Sequence, residues 1–243
     1  MKTVVITGAA GGMGAAAAKA LAASGYTVFA LDKRAGEGAA HIIPVAVDVT
    51  DAASVQRAFD LVRAQTDEVY AILHFAGVYR LDSLVEMSEA RFTGAFDVNL
   101  FGVYRINKTF LPLLKAGSRI VITTSELAPL DPLPFTGIYA LTKAALEKYA
   151  ASLRMEVQLL GIAVSVLRPG AVDTGLLGDS TRELDAFCEN TRLYPCNADR
   201  FRRIVNGVEA KSVPPERIAG VALRALSARR PRPVYSVNRN PLL

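Results

Sequence analysis

Tyr139 and Lys143 stand four residues apart in the stretch Tyr-Ala-Leu-Thr-Lys, a step that lays both side chains on one face of a helix. A phenol titrates near pH ~10 and is a poor proton donor or acceptor at neutral pH, but an ammonium held beside it favours the phenolate. The pair is therefore a candidate for general acid–base chemistry. Such a spacing also recurs by chance, so its meaning depends on the elements around it. Other reactive side chains are scarce. His41 and His74 are the only histidines, which leaves zinc-dependent alcohol chemistry almost without ligands. Cys188 and Cys196 form neither a CxxC nor a disulfide framework.

The segment from Ala140 to Leu160 contains no Pro or Gly and is rich in Ala, Leu, Glu and Lys, so it reads as the helix that the pair needs. Further helical stretches run over Ala15–Ala23, Ala52–Ala64 and, as one long helix, Arg91–Leu114. Between them lie short β-branched runs: Val4–Thr7, Tyr26–Leu31, Ile42–Val47, Val69–Phe75, Arg119–Thr124 and Ile162–Leu167. Strands apolar on consecutive positions, alternating with helices, predict an α/β fold: a doubly wound parallel sheet covered by helices on both faces. Neither a repeat nor a low-complexity linker divides the 243 residues, so a single domain over 1–243 is expected. The stretch from Lys33 to His41, with Gly36 and Gly38, leaves room for little or no helix between the second and third strands.

The first strand passes directly into Thr7-Gly8-Ala9-Ala10-Gly11-Gly12-Met13-Gly14 and then into an alanine-rich helix. Glycines there permit a tight turn and close approach of the backbone to a pyrophosphate, and the helix N-terminus supplies N–H groups and a positive dipole end. No Lys-Ser or Lys-Thr follows, which excludes a nucleoside-triphosphatase loop. Asp32 ends the second strand, 18 residues beyond Gly14. A carboxylate there accepts both ribose hydroxyls of an adenosine and repels a 2′-phosphate. Two like charges ~4 Å apart cost about 1 kcal/mol in water and about 4 at an effective dielectric of 20, so NAD is favoured over NADP. Lys33 and Arg34 are the counter-argument: they either neutralise a phosphate or are ordinary exposed turn charges. Asp48, with Val49 beside it, either meets the adenine or caps the helix starting near Asp51.

Hydrophobic residues make up 51% of the chain and charged ones 21%, the balance of a globular protein. With a net charge of only +5, the arginines of 200–203 and 229–232 are read as solvated surface or contacts to an anionic ligand, and no nucleic-acid partner is expected. No run approaches the ~20 apolar residues of a membrane span. The N-terminus enters a strand at once, leaving no signal peptide that could be cleaved without loss of structure, so a cytoplasmic setting is expected.

Taken together, these residues resemble the short-chain dehydrogenase/reductase family, of classical type, over nearly the whole chain. The family's Thr-Gly-x-x-x-Gly-x-Gly turn is Thr7–Gly14, its Tyr-x-x-x-Lys is Tyr139–Lys143, and its Pro-Gly segment after the sixth strand is Pro169-Gly170, followed by Thr174. The resemblance implies a Rossmann-like fold and an NAD(P)-dependent oxidoreductase acting on a small-molecule alcohol or ketone. Tyr139 would exchange the substrate's hydroxyl proton while hydride moves to or from the nicotinamide. Lys143 would lower the tyrosine's pKa and bind the nicotinamide ribose. Ser125 would orient the substrate oxygen, and Asn99 would hold a proton-relay water, although Asn99 could also cap or kink its helix and Ser125 simply end a strand. Ala76-Gly77 would allow the cofactor close to the backbone, Pro169 and Gly170 would also line the cofactor, and Val172 and Thr174 would bind the carboxamide and fix which face of the ring is presented. A homodimer or homotetramer through the helices of 91–114 and 139–160 is also implied.

Two departures accompany the likeness. The family's serine lies 13 residues before its tyrosine, which here is Glu126, whereas Ser125 is 14 away. The Pro-rich loop of 129–134 can absorb one inserted residue, so Ser125 is retained as the hydroxyl with Thr124 as the fallback. The family's Asn-Asn-Ala-Gly is His74-Phe75-Ala76-Gly77, where His74 is expected to be buried and hydrogen-bonded rather than catalytic. Residues 175–212 form the expected substrate lid. Its Leu176, Leu177, Phe187, Leu193, Tyr194, Phe201 and Ile204 either greet a bulky, sterol-like substrate or pack the lid onto the domain. Arg182, Arg192 and Arg200 are candidates for a substrate carboxylate. The competing readings are an NADP-dependent carbonyl or 3-oxoacyl reductase and, in another class, a non-catalytic dinucleotide-binding redox sensor.

Overall fold

In a computed structural model the chain is described at residues 1–209 and 212–237, with the side chains at 176, 177, 179–181, 208 and 209 outside that description. Seven strands form one wholly parallel sheet: β1 (Thr3–Thr7), β2 (Thr27–Asp32), β3 (Ile42–Ala46), β4 (Ala71–His74), β5 (Arg119–Thr123), β6 (Ala163–Pro169) and β7 (Val234–Val237). Their order is β3-β2-β1-β4-β5-β6-β7. Thr7 pairs with both Leu31 and His74, so the central strands end level with one another. The order reverses between β1 and β4, and that switch opens a crevice at the carboxyl ends of the strands, where ligands bind in open α/β sheets.

The six strands expected from the sequence are all present. β7 was not anticipated: its four residues follow an Arg/Pro-rich run and carry too short an apolar pattern to stand out. The link from β2 to β3 is free of helix, as expected.

Among the described residues the α-helices are α1 (Gly12–Ala23), α2 (Ala52–Arg63), α3 (Glu89–Phe96), α4 (Gly102–Phe110), α5 (Gly137–Val157), α6 (Gly175–Asn190), α7 (Pro195–Glu209) and α8 (Pro215–Ser227). α1 and α8 pack on one face through Ala17, Leu21, Ile218, Ala222 and Leu226. α2, α4 and α5 cover the other through Val55, Phe59, Ile106, Phe110, Leu146 and Ala150. Each large side chain buried there contributes about 1.5–3 kcal/mol relative to exposure, and Phe59 meets Phe110 edge-on at 5.5 Å between centroids. Asp51 caps α2 by accepting the Ala53 N–H at 2.9 Å, which removes that role from Asp48.

The expected single helix over Arg91–Leu114 is interrupted. α3 and α4 are joined by a π-helical turn at Asp97–Phe101, and a 3₁₀ turn follows at Leu111–Leu113. An α-helical periodicity conceals a π turn, because one extra residue barely alters the apolar pattern; such turns frequently mark functional sites.

Candidate active site

The switch-point cleft encloses about 1360 Å³ and is lined by Gly8, Gly11, Gly12, Met13, Gly14, Asp32, Lys33, Asp48, Val49, Ala76 and Gly77. Every residue that the sequence assigned to the adenosine and pyrophosphate end is thus in one place. Gly14 opens α1 so tightly that a Cβ on it would fall 2.1 Å from the Gly8 carbonyl oxygen. The absent side chain lets the start of α1 pack directly on the turn after β1, which brings the helix N-terminus to the place where a pyrophosphate would sit. The residues therefore fit a dinucleotide.

At the lip of the cleft, Asp32 accepts the Ala10 N–H at 3.0 Å and the Arg34 N–H at 3.2 Å, which fixes its carboxylate beside the glycine loop. Lys33 Nζ lies 2.8 Å from Asp48 Oδ2. The hydrogen bond from Lys33, then those from Thr50, hold the Asp48 carboxyl down at about 2.

A second cavity of about 830 Å³ shares Met13, Phe75, Gly77, Val78 and Thr174 with that cleft. Its wall carries Ser125, Tyr139 and Lys143 together with Pro169, Gly170 and Val172. β5 delivers Ser125 just past its end, α5 delivers Tyr139 and Lys143 from its first two turns, and β6 ends at Pro169. Ser125 hydrogen-bonds the Tyr139 hydroxyl and accepts the Leu127 N–H at 3.2 Å. The Thr124 hydroxyl instead donates to Glu147 at 2.9 Å, and Glu147 is clamped by Arg168 at 2.6 and 2.5 Å. The fallback hydroxyl is thereby tied into a bridge between α5 and β6, whereas Ser125 faces the cavity.

The electrostatics differ from the sequence expectation. Desolvation pushes the Tyr139 phenol up to about 12, against the lowering effect of Ser125 and with a further push from the Glu126 charge. Burial likewise brings Lys143 down to about 8. Its Nζ donates to the Thr123 carbonyl at 3.1 Å and lies 5.6 Å from the Tyr139 ring centroid. Withdrawal from water disfavours both charged forms here and outweighs the attraction between ammonium and phenolate.

Asn99 sits in the π turn and is buried, but does not line the cavity. Its Oδ1 accepts the Val78 N–H at 2.8 Å, and its Nδ2 donates to the Val78 carbonyl and the Thr142 hydroxyl, both at 3.0 Å. These bonds brace the β4 exit against α5 and leave one lone pair of Oδ1 unused by them. His74 is buried as expected, with Nε2 2.8 Å from Asn107 Oδ1 and its ring held down at about 4 by desolvation.

The sequence missed Glu126, Tyr79, Phe75, Val78 and Leu127, all of which line the cavity. Tyr79 meets the Tyr139 ring edge-on at 4.5 Å. Only Glu126 carried a signal, as the residue standing where the family spacing calls for serine.

Residues 175–209 form α6 and α7, whose aromatic side chains face inward. Phe187, Tyr194 and Phe201 converge on Phe135 at 4.6, 5.0 and 5.0 Å between centroids. Glu183 pairs with Arg80 and Arg91, and Glu86 accepts the Thr191 hydroxyl at 2.7 Å and the Arg192 N–H at 2.8 Å. These aromatics pack the segment onto the domain and do not line the cavity, nor do Arg182, Arg192 and Arg200. Leu193 and Ile204 are exposed, while the side chains of Leu176 and Leu177 lie outside the described residues.

A doubly wound sheet with a dinucleotide cleft opening onto a Ser–Tyr–Lys cavity defines an NAD(P)-dependent oxidoreductase. Residues 2–185 match the short chain dehydrogenase family, and the chain belongs to it. Estradiol 17-beta-dehydrogenase 2 of Mus musculus is 34% identical over 192 residues, which cover 73% of this chain and 50% of that enzyme. The chain thus spans half the length of that relative. A 3-ketodihydrosphingosine reductase of Bacteroides thetaiotaomicron is 25% identical over 241 residues, covering 99% of this chain and 88% of its own. Among solved structures, a short chain dehydrogenase/reductase from Burkholderia phymatum in complex with NAD superimposes with a TM-score of 0.81 at 26% identity, covering 99% of this chain and 89% of that one. No described helix is long and apolar enough to cross a membrane.

Proposed function

We propose that the protein interconverts a secondary alcohol and a ketone with an apolar body, using NAD. The observation that carries this reading is the joining of the Ser125–Tyr139–Lys143 cavity to the dinucleotide cleft through shared walls. A bound nicotinamide supplies hydride exchange at its C4. Gly8, Gly11, Gly12, Met13 and Gly14 would cradle the pyrophosphate, and Asp32, Asp48 and Val49 the adenosine. Ala76 and Gly77 would flank the ribose, with Pro169, Gly170, Val172 and Thr174 at the carboxamide. Ser125 would orient the substrate oxygen by hydrogen bonding. Tyr139, whose raised pKa keeps it protonated at neutral pH, would donate the proton to that oxygen during ketone reduction. Lys143 would favour the phenolate needed in oxidation, and Asn99 would hold the α3–α4 break and the β4 exit in register.

NAD is preferred because Asp32 presents a carboxylate where a 2′-phosphate would sit, and because the Lys33 charge is already engaged by Asp48. Apolar cavity walls at Phe75, Val78, Leu127 and Val172 support a bulky apolar substrate, and the family of the estradiol relative is consistent with one. A homodimer or homotetramer through α4 and α5 is part of the proposal, supported by exposed Phe101, Tyr104, Leu141 and Met155. We place the protein in the cytoplasm on the same terms.

Tyr139→Phe tests the reading: nicotinamide-linked turnover should fall by roughly 10²–10⁴ with unchanged NADH affinity. Unchanged turnover refutes it. Tight NADH binding with no turnover across sterols, sugars, acyl ketones and aryl alcohols would favour a redox sensor instead. Tighter binding of NADPH than NADH would favour an NADP-dependent carbonyl or 3-oxoacyl reductase.

A further inference from the structure

Glu126 is the one carboxylate on the wall of the chemistry cavity among the described residues. It follows Ser125 directly, where β5 has ended and the chain turns. Its N–H donates to the Pro169 carbonyl at 2.9 Å, which anchors it to the end of β6. From there the side chain lies across Gly170: a Cβ on that glycine would come 2.8 Å from Glu126 Oε2 and 3.1 Å from Oε1. The carboxylate therefore occupies space that exists only because residue 170 has no side chain.

Neither carboxylate oxygen has a hydrogen bond or an ion pair with any described residue. That sets Glu126 apart from the other half-buried acids. Glu147 is held by Arg168 and Thr124, and Glu183 by Arg80 and Arg91. A carboxylate partly withdrawn from water is unfavourable, and burial accordingly raises the Glu126 pKa from its ordinary value. Its oxygens are not among the fully buried atoms, so a cationic group on a ligand filling the cavity can pair with them. The cleft of the glycine loop does not extend to Glu126, whereas Ser125 and Tyr139, set to hold the substrate oxygen, share its cavity, which puts the carboxylate on a wall that a substrate would meet.

We propose that Glu126 determines specificity by pairing with a protonated amine on the carbon next to the reacting one, so that the preferred substrates are amino alcohols and amino ketones with an apolar body. This rests on the oxidoreductase reading given above and narrows its substrate class. Glu126 shares the cavity with Ser125 and Tyr139 and its charge is felt at the Tyr139 phenol, so a substituent close to the oxygen held there would meet its carboxylate. In reduction, hydride adds to the carbonyl carbon and the Tyr139 proton to the oxygen. The ammonium keeps its protons throughout, and Glu126 neither gives nor takes one.

The probes are 2-amino-1-phenylethanol, protonated at neutral pH, its isostere 1-phenyl-1-propanol with methyl in place of ammonium, and 1-phenyl-1,2-ethanediol. A charge pair near ~4 Å is worth roughly fivefold in water and about a thousandfold at an effective dielectric of 20, so a half-buried site predicts a preference on the order of 10–100-fold in kcat/KM for the amine over the methyl isostere. Glu126→Gln should abolish that ratio, and Glu126→Asp should retain part of it. Calorimetry on the free protein should show the amine binding more weakly to Glu126→Gln than to wild type by a similar factor. A diol favoured as strongly as the amine, or a ratio unmoved by Glu126→Gln, overturns the proposal while leaving the oxidoreductase reading standing. If none of the probes is turned over, that reading is what has failed for them, and equal amine affinity of wild type and Glu126→Gln then overturns the proposal by itself.

Discussion

His74 offers a quantitative test of how this sheet was built. The ring is buried at the end of β4, has one partner in Asn107, and leaves Nδ1 without a hydrogen bond among the described residues. Desolvation lowers its pKa from 6.5 to about 4. Between those values the unfolded chain binds a proton that the native protein does not, so stability rises with pH across this window and falls on acidification. For a single group with these two pKa values, the loss between pH 7 and pH 5 is about 2 kcal/mol, and it approaches 3 kcal/mol by pH 4. His74→Asn removes the titration while keeping a side chain able to hydrogen-bond Asn107. The assay is urea unfolding of wild type and variant at pH 7 and pH 5. Carboxylates such as Asp48 titrate in both proteins and cancel in the comparison. The variant should lose about 2 kcal/mol less than wild type over that interval, whatever its stability at pH 7. Equal losses in the two proteins would refute the reasoning, since they would mean that His74 takes up its proton in the native state.

Three further outcomes are expected. Gly14→Ala should abolish dinucleotide binding, measured by NADH fluorescence, because its Cβ would strike the backbone oxygen of Gly8 rather than a movable side chain. Asn99→Ala strands the part-buried N–H and carbonyl of Val78, which at about 1–3 kcal/mol per unsatisfied group should lower unfolding stability by about 2–6 kcal/mol, read by denaturation. Asp32→Ala removes the repulsion of a 2′-phosphate and should raise the ratio of NADPH to NADH affinity by about fivefold to a thousandfold, measured by calorimetry.

Much of the fold and cofactor end was legible in local patterns. Consecutive apolar strands separated by helices announce a parallel sheet, and the glycine loop before an alanine helix needs only nearest neighbours to form. Tyr139 and Lys143 were legible for the same reason, since a four-residue step on one helix fixes their common face. Ser125 was kept against the family spacing, because a carboxylate at Glu126 cannot donate a hydrogen bond and the loop of 129–134 can absorb one residue; the hold of Glu147 on the Thr124 hydroxyl depends on the packing of α5 on β6, which no spacing encodes.

What the chain by itself determined was therefore the periodicity of its elements and the chemistry held within single loops and helices, including the dinucleotide turn and the Tyr–Lys step. Tertiary structure alone decided the quantities that depend on distant neighbours. It broke the 91–114 helix with a π turn, spent the Asn99 side chain on Val78 and Thr142, turned the lid aromatics onto Phe135, and pushed the Tyr139 phenol up rather than down. Hydrogen-bond partners and desolvation are sums over contacts between segments far apart in sequence, and no local spacing encodes them. The unpartnered carboxylate of Glu126 against Gly170, 44 residues away, belongs to that second kind.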